Sequence, residues 1–117
     1  MCLFLTALTC LLIALPAVAQ TSLNVTLGPA DSVESINYSC DSGAALRVQY
    51  VNAGPNALAL MEINGTMRIF VGVVSGSGAR YVSGAEVWLT KGGTALLENQ
   101  LAHTMVRCSQ SDDAQRE

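Results

Sequence analysis

Between residues 35 and 108 the sequence alternates apolar and polar side chains in short runs, each broken by a glycine, proline or asparagine turn. A segment with period two has one face to bury, so it must pair along its edges and pack that face against similar segments. Ile36, Tyr38 and Cys40 alternate with Asn37 and Ser39, and Leu46, Val48 and Tyr50 alternate with Arg47 and Gln49. The runs 57–63 and 66–75 flank Asn64-Gly65, a strong short-range hairpin signal. Met67, Ile69, Val71 and Val73 read as the inward row of the second of these runs, with Gly72 as a bulge that helps a sheet curl. Shorter strands are expected at 80–82, 86–90, 94–98 and 103–108, separated by glycine-containing turns. The total is about eight strands and no helix. That cadence predicts an all-β chain, either a small antiparallel barrel or a sandwich, with closure removing the exposed edges.

The N-terminus has a different character. Residues 1–19 are apolar almost throughout and end in Ala17-Val18-Ala19, a small-x-small pattern that fits signal peptidase cleavage before Gln20. No Lys or Arg follows Met1 in this stretch, and the rival reading is a retained apolar anchor, short for a membrane span. Cys10 follows Leu8-Thr9, which argues against lipid attachment at a modified cysteine. Residues 20–34 read as a flexible lead-in, 35–109 as the β domain and 110–117 as a polar C-terminal tail. After cleavage the length suffices for one compact domain and is too short for two.

Cleavage would also remove Cys2 and Cys10, leaving Cys40 and Cys108 as an even pair in an oxidising compartment. Both fall on the apolar phase of their segments, since Thr104, Val106 and Cys108 oppose His103, Met105 and Arg107, so a disulfide between them is expected. Closing so long a loop is worth roughly 4 kcal/mol in the chain-entropy account. A structural zinc centre is the weaker alternative, because two isolated cysteines and His103 lack the number and spacing of ligands. The net charge of −3 argues against nucleic acid and anionic membrane surfaces as partners.

Enzyme chemistry finds little support. The segment Ser75-Gly76-Ser77-Gly78-Ala79-Arg80-Tyr81 is glycine-rich, yet Tyr81 stands where a dinucleotide fingerprint needs its third glycine and no helix follows. Neither Ser75 nor Ser77 has a glycine two residues before it, as a hydrolase nucleophile elbow requires. His103 is the only histidine and reads as a surface residue on the outer phase of the last strand. Asn24, Asn37 and Asn64 lie in glycosylation sequons that matter only in a host that modifies them. No cofactor is expected, and the chain reads as a binding protein without catalysis. Ser77 and Lys91 attract notice because both sit in glycine-flanked turns on either side of the 80–90 hairpin region.

Several spaced motifs together resemble one family. Tyr38-Ser39-Cys40-Asp41-Ser42-Gly43, Val48-Gln49-Tyr50, Ser75-Gly76-Ser77-Gly78-Ala79-Arg80-Tyr81, Trp88-Leu89-Thr90-Lys91-Gly92 and the late Cys108 are similar to the inhibitors of c-type lysozyme known as MliC and PliC. The resemblance spans about residues 36–108 and implies a small eight-stranded antiparallel β-barrel with one disulfide. It further implies that the partner is a c-type lysozyme and that Ser77 and Lys91 enter its cleft to engage the catalytic carboxyl groups. Arg80, Tyr81 and Trp88 would add contact at the rim, with Tyr81 and Trp88 equally suited to packing that fixes the loops. The lack of a lipobox favours a periplasmic protein over an anchored one. The alternative function is an exported barrel that binds a small molecule or cell-wall fragment, although a core rich in Leu, Val and Ile suits a filled interior better.

Overall fold

The structure, a computed structural model, describes residues 13–19 and 22–111. Most of the predicted signal peptide, the cleavage point at Gln20 and residues 112–117 of the tail lie outside the described residues. Residues 13–19 have no regular secondary structure, and among the described residues no helix is long and apolar enough to cross a membrane.

Eight strands follow in chain order: β1 Ser32–Cys40, β2 Ala45–Ala53, β3 Asn56–Ile63, β4 Thr66–Val73, β5 Ala79–Ser83, β6 Glu86–Lys91, β7 Thr94–Asn99 and β8 Thr104–Gln110. Each pairs antiparallel with the next, and β8 returns to β1 to close the barrel. Asn64 and Gly65 both have positive φ (52° and 79°), the backbone of a tight two-residue hairpin whose twist matches its strands. β1 takes in Ser32, Val33 and Glu34 from the stretch read as lead-in. His103 has a left-handed φ of 55° in the β7–β8 turn, so β8 starts one residue later than its alternation suggested.

Inside the barrel Val48, Ala59, Met61, Phe70, Trp88 and Cys108 are all 0% exposed. Burying aromatic and aliphatic side chains of this size supplies most of the driving force for closure. Trp88 is positioned by its polar edge as well as by its area. Its Nε1–H donates to the Tyr50 hydroxyl at 2.9 Å, Tyr50 and Tyr38 share a 2.8 Å hydrogen bond, and Tyr38 meets the indole edge-on at 5.1 Å between centroids. Burial drives the Tyr50 hydroxyl well above the ordinary phenol range. Tyr50→Phe would leave the indole N–H without an acceptor in the core. It is expected to lower stability by about 1–3 kcal/mol, measured by denaturant unfolding, while Tyr81→Phe, which breaks no such bond, should cost less.

The structure corrects the reading of β4. Met67, Ile69, Val71 and Val73 are 60, 40, 51 and 45% exposed and form the outer row, while Arg68, Phe70 and Gly72 face inward. Both phases of this strand carry apolar groups, so counting them misleads. Phe70 sits opposite Ala59, whose small side chain leaves room for a ring, and this volume match fixes the phase. Arg68 is tolerated inside because it lies near the barrel mouth, where it donates to the Ser83 carbonyl at 3.0 Å and pairs with Glu86 at 3.9 Å. Gly72 is not a bulge: the β4–β5 ladder runs without a break through Gly72↔Tyr81. A Cβ there would lie 2.9 Å from the Ala57 Cβ, so glycine permits a close approach between strands.

The pairing of Cys40 with Cys108 is formed, and the two cysteines are direct register partners on β1 and β8. That seam has three register pairs, against eight between β1 and β2. The covalent bond therefore closes the barrel at one of its two shortest ladders, the other being the three pairs of β4 with β5.

Candidate functional site

In an up-and-down barrel alternate connections emerge at the same end. The β2–β3 turn at Gly54-Pro55, the β4–β5 loop over 74–78 and the β6–β7 turn at Gly92-Gly93 share one end. Register sets the last two side by side: Ala79 pairs with Thr90, so Gly78 lies across from Lys91. Ser77 and Lys91, distant in sequence, are thus presented together, both exposed.

Local hydrogen bonds hold these turns through their backbones. The Ser75 hydroxyl donates to the Ser77 carbonyl at 2.9 Å, and the Thr94 hydroxyl donates to the Lys91 carbonyl at 3.0 Å. Both bonds constrain the loops and leave the Ser77 hydroxyl and the Lys91 ammonium directed to other uses. Gly78 is the point of closest approach, with φ of 67° and its α-carbon against the Thr90 carbonyl, where any side chain would collide. The arrangement offers one neutral hydroxyl and one cation on short, braced turns.

Arg80 and Tyr81 follow on β5 and face opposite ways. Arg80 is on the outer face, paired with Val73 and Leu89 and half-buried. Tyr81 faces inward, paired with Gly72 and Trp88, with its ring 5.7 Å from that of Tyr50 and its hydroxyl raised above the usual phenol range by burial. Trp88 is fully buried and serves packing.

Two features of this end escaped sequence reading. Val74, the first residue after β4, is 95% exposed at the start of the β4–β5 loop, an apolar side chain that the sequence reading absorbed into the run 66–75. Asp31 accepts hydrogen bonds from the Gly28 N–H at 2.6 Å and the Gly54 N–H at 2.9 Å, tying the chain before β1 to the β2–β3 turn. Those two amides hold its carboxyl below the usual range. The signal was an Asp close to Gly28, but its long-range partner Gly54 depends on the β1–β2 register.

The opposite mouth has a different chemistry. Half-buried Leu46, Ile63, Leu97 and Val106 line it, with Arg68, Glu86 and Asn99 joined by the ion pair and by an Asn99-to-Glu86 hydrogen bond of 2.9 Å. Among the described residues no group of three or more metal-ligating side chains comes together.

Comparison with known proteins converges on one family. Residues 38–105 match the family described as membrane-bound lysozyme-inhibitor of c-type lysozyme, MliC. A membrane-bound lysozyme inhibitor of C-type lysozyme from Pseudomonas aeruginosa is 43% identical over 65 residues, covering 54% of this chain and 50% of the relative. Its counterpart from Cupriavidus necator is 40% identical over 67 residues, covering 57% of this chain and 54% of the relative. The chain thus spans about half the length of these curated relatives. The crystal structure of Pseudomonas aeruginosa MliC in complex with hen egg white lysozyme matches with a TM-score of 0.68 and 33% identity, covering 81% of this chain and all of that one. The matched stretch holds Tyr38, Cys40, Ser77, Gly78 and Lys91, so the residues that build the braced end fall within what is shared, and the chain belongs to the MliC family of lysozyme inhibitors.

Proposed function

We propose that this protein is a proteinaceous inhibitor of c-type lysozyme, that it acts without catalysis, and that it works by inserting the β4–β5 and β6–β7 turns into the active-site cleft. The observation that carries this reading is the joint presentation of Ser77 and Lys91 on neighbouring turns braced at Gly78. Its family and the lysozyme bound to its structural relative support it.

Glycosidases of this kind place two carboxyl groups about the scissile bond, one protonated and one ionised. A hydroxyl can donate to or accept from either, and an ammonium complements the ionised one, so Ser77 and Lys91 match the pair they would meet. Turns held by the barrel lose little entropy on binding. Arg80 and Tyr81 assist at the rim, Arg80 by direct contact and Tyr81 through the strand it anchors. The site of action is the periplasm, reached through a cleaved signal peptide. A ligand-binding barrel is less well supported, because Trp88, Phe70, Met61 and Val48 fill the interior.

The test is lysozyme turnover on cell walls, titrated with protein purified after expression of the whole chain. Inhibition at micromolar concentration is expected. Ser77→Ala and Lys91→Ala should each weaken it by about tenfold or more, the effect of truncating a central interface residue, with melting temperature nearly unchanged. Wild-type inhibition by both variants would overturn the residue roles.

A further inference from the structure

We propose that two copies of this protein associate through the outer face of β4, forming a two-fold dimer that leaves Ser77 and Lys91 of each barrel free. Met67, Ile69, Val71 and Val73 stand in one outward row, each at least 40% exposed. Their cross-strand neighbours extend the apolar surface, with Leu60 opposite Ile69, and Leu58 and Val82 on either side of Val71. A contiguous apolar row of this kind marks an interaction surface more often than isolated exposed residues do. Closure of the barrel leaves no free edge at β4, so a partner must pack on the face.

The charges at the two ends of the row identify the partner. Glu62 pairs with Met67 at one end and Arg80 pairs with Val73 at the other, both on the outer face. A two-fold axis lying in the interface and crossing β4 between Ile69 and Val71 sets the row antiparallel to its copy. The Glu62 end of one barrel then meets the Arg80 end of the other, twice over, while the apolar centre packs on itself. This is the self-complementarity that an isologous contact requires. A lipid surface would instead favour basic and aromatic residues around the row; the chain's one tryptophan is buried in the core, and Glu62 would face the lipid headgroups.

Self-association is read without lysozyme, so its failure leaves the inhibitory reading untouched, and the reverse also holds. Light scattering and sedimentation of the purified protein at tens of micromolar should give twice the chain mass. Ile69→Lys and Val71→Lys are each expected to weaken the dimer by about a hundredfold or more, since each would bury an unpaired ammonium at its centre. Inhibition per chain should be unchanged in both. Met105→Lys, on β8 and outside the row, should leave the dimer intact. Glu62→Arg should weaken association, and adding Arg80→Glu should restore it, a pair scored on association alone because Arg80 is also a rim contact for lysozyme. The proposal is overturned by a monomer at every concentration, by a dimer indifferent to both central lysines, or by a monomer that binds phosphatidylglycerol vesicles through this row.

Discussion

Gly78→Ala is expected to cost more inhibition than any other single glycine replacement in the two presenting turns. The residue has φ of 67°, a region that an L side chain occupies at a cost of roughly 1–2 kcal/mol. Its Cβ would also be driven into the Thr90 carbonyl oxygen, which belongs to the β6 ladder and cannot rotate away. Relief requires the β5–β6 pairing to open at Ala79↔Thr90, directly beside Lys91. The two turns would then separate and lose the geometry that lets both groups enter one cleft. Gly92→Ala and Gly76→Ala provide the scale. Gly92 also has a positive φ, of 60°, but a Cβ there meets nothing within 4 Å, so only the same conformational cost of roughly 1–2 kcal/mol applies, without the collision. Gly76 has neither constraint, and its replacement should be nearly neutral. Inhibition titrations and melting curves should therefore order the variants Gly78, Gly92, Gly76 from most to least affected. Equal behaviour of Gly78→Ala and Gly76→Ala would show that the brace is dispensable.

The strands were legible because period two and turn residues are local signals. Asn64-Gly65 marked its hairpin without reference to the rest of the chain, and the apolar phase of β1, β2 and β8 brought Cys40 and Cys108 to the interior together. Legibility failed where a decision belonged to the partner strand. On β4 the more apolar phase, Met67 to Val73, lies outside, and the small Ala59 across the ladder makes room for Phe70 to turn inward. Gly72 carries the same lesson, since its reason is Ala57 on the neighbouring strand. At the candidate site, Ser77 and Lys91 were visible as glycine-flanked polar residues, but their adjacency follows from the β5–β6 register. The clamp from Asp31 to Gly54 was invisible for the same reason: each residue is ordinary until β1 and β2 are paired.

Breaking the disulfide should weaken inhibition as well as stability, and the ladder shows the route. Cys108 pairs with Cys40 on one side and with Ala95 on the other; Ala95 pairs with Thr90, and Thr90 with Ala79. One step toward the rim, Ser109 pairs with Thr94, Thr94 with Lys91, and Gly78 follows next to Ala79. The disulfide thus anchors a row of paired backbones that ends at the two presenting turns. Without it, β8 is held to β1 by a three-pair seam flanked by two backbone bonds, from the Asp41 N–H to the Arg107 carbonyl and from the Ser111 N–H to the Asn37 carbonyl. The cysteines are 68 residues apart, so their bond accounts for roughly 4 kcal/mol in the chain-entropy model, a sizeable share of the stability of a small domain. The double variant Cys40→Ala/Cys108→Ala is expected to lose about that much in denaturant unfolding. Under conditions where it remains folded it should inhibit less well than wild type, because β7 and β8 loosen behind Lys91. If the folded double variant inhibits as strongly as wild type, the seam stabilises the barrel without supporting the turns, and the brace between Gly78 and Thr90 alone holds the inhibitory geometry.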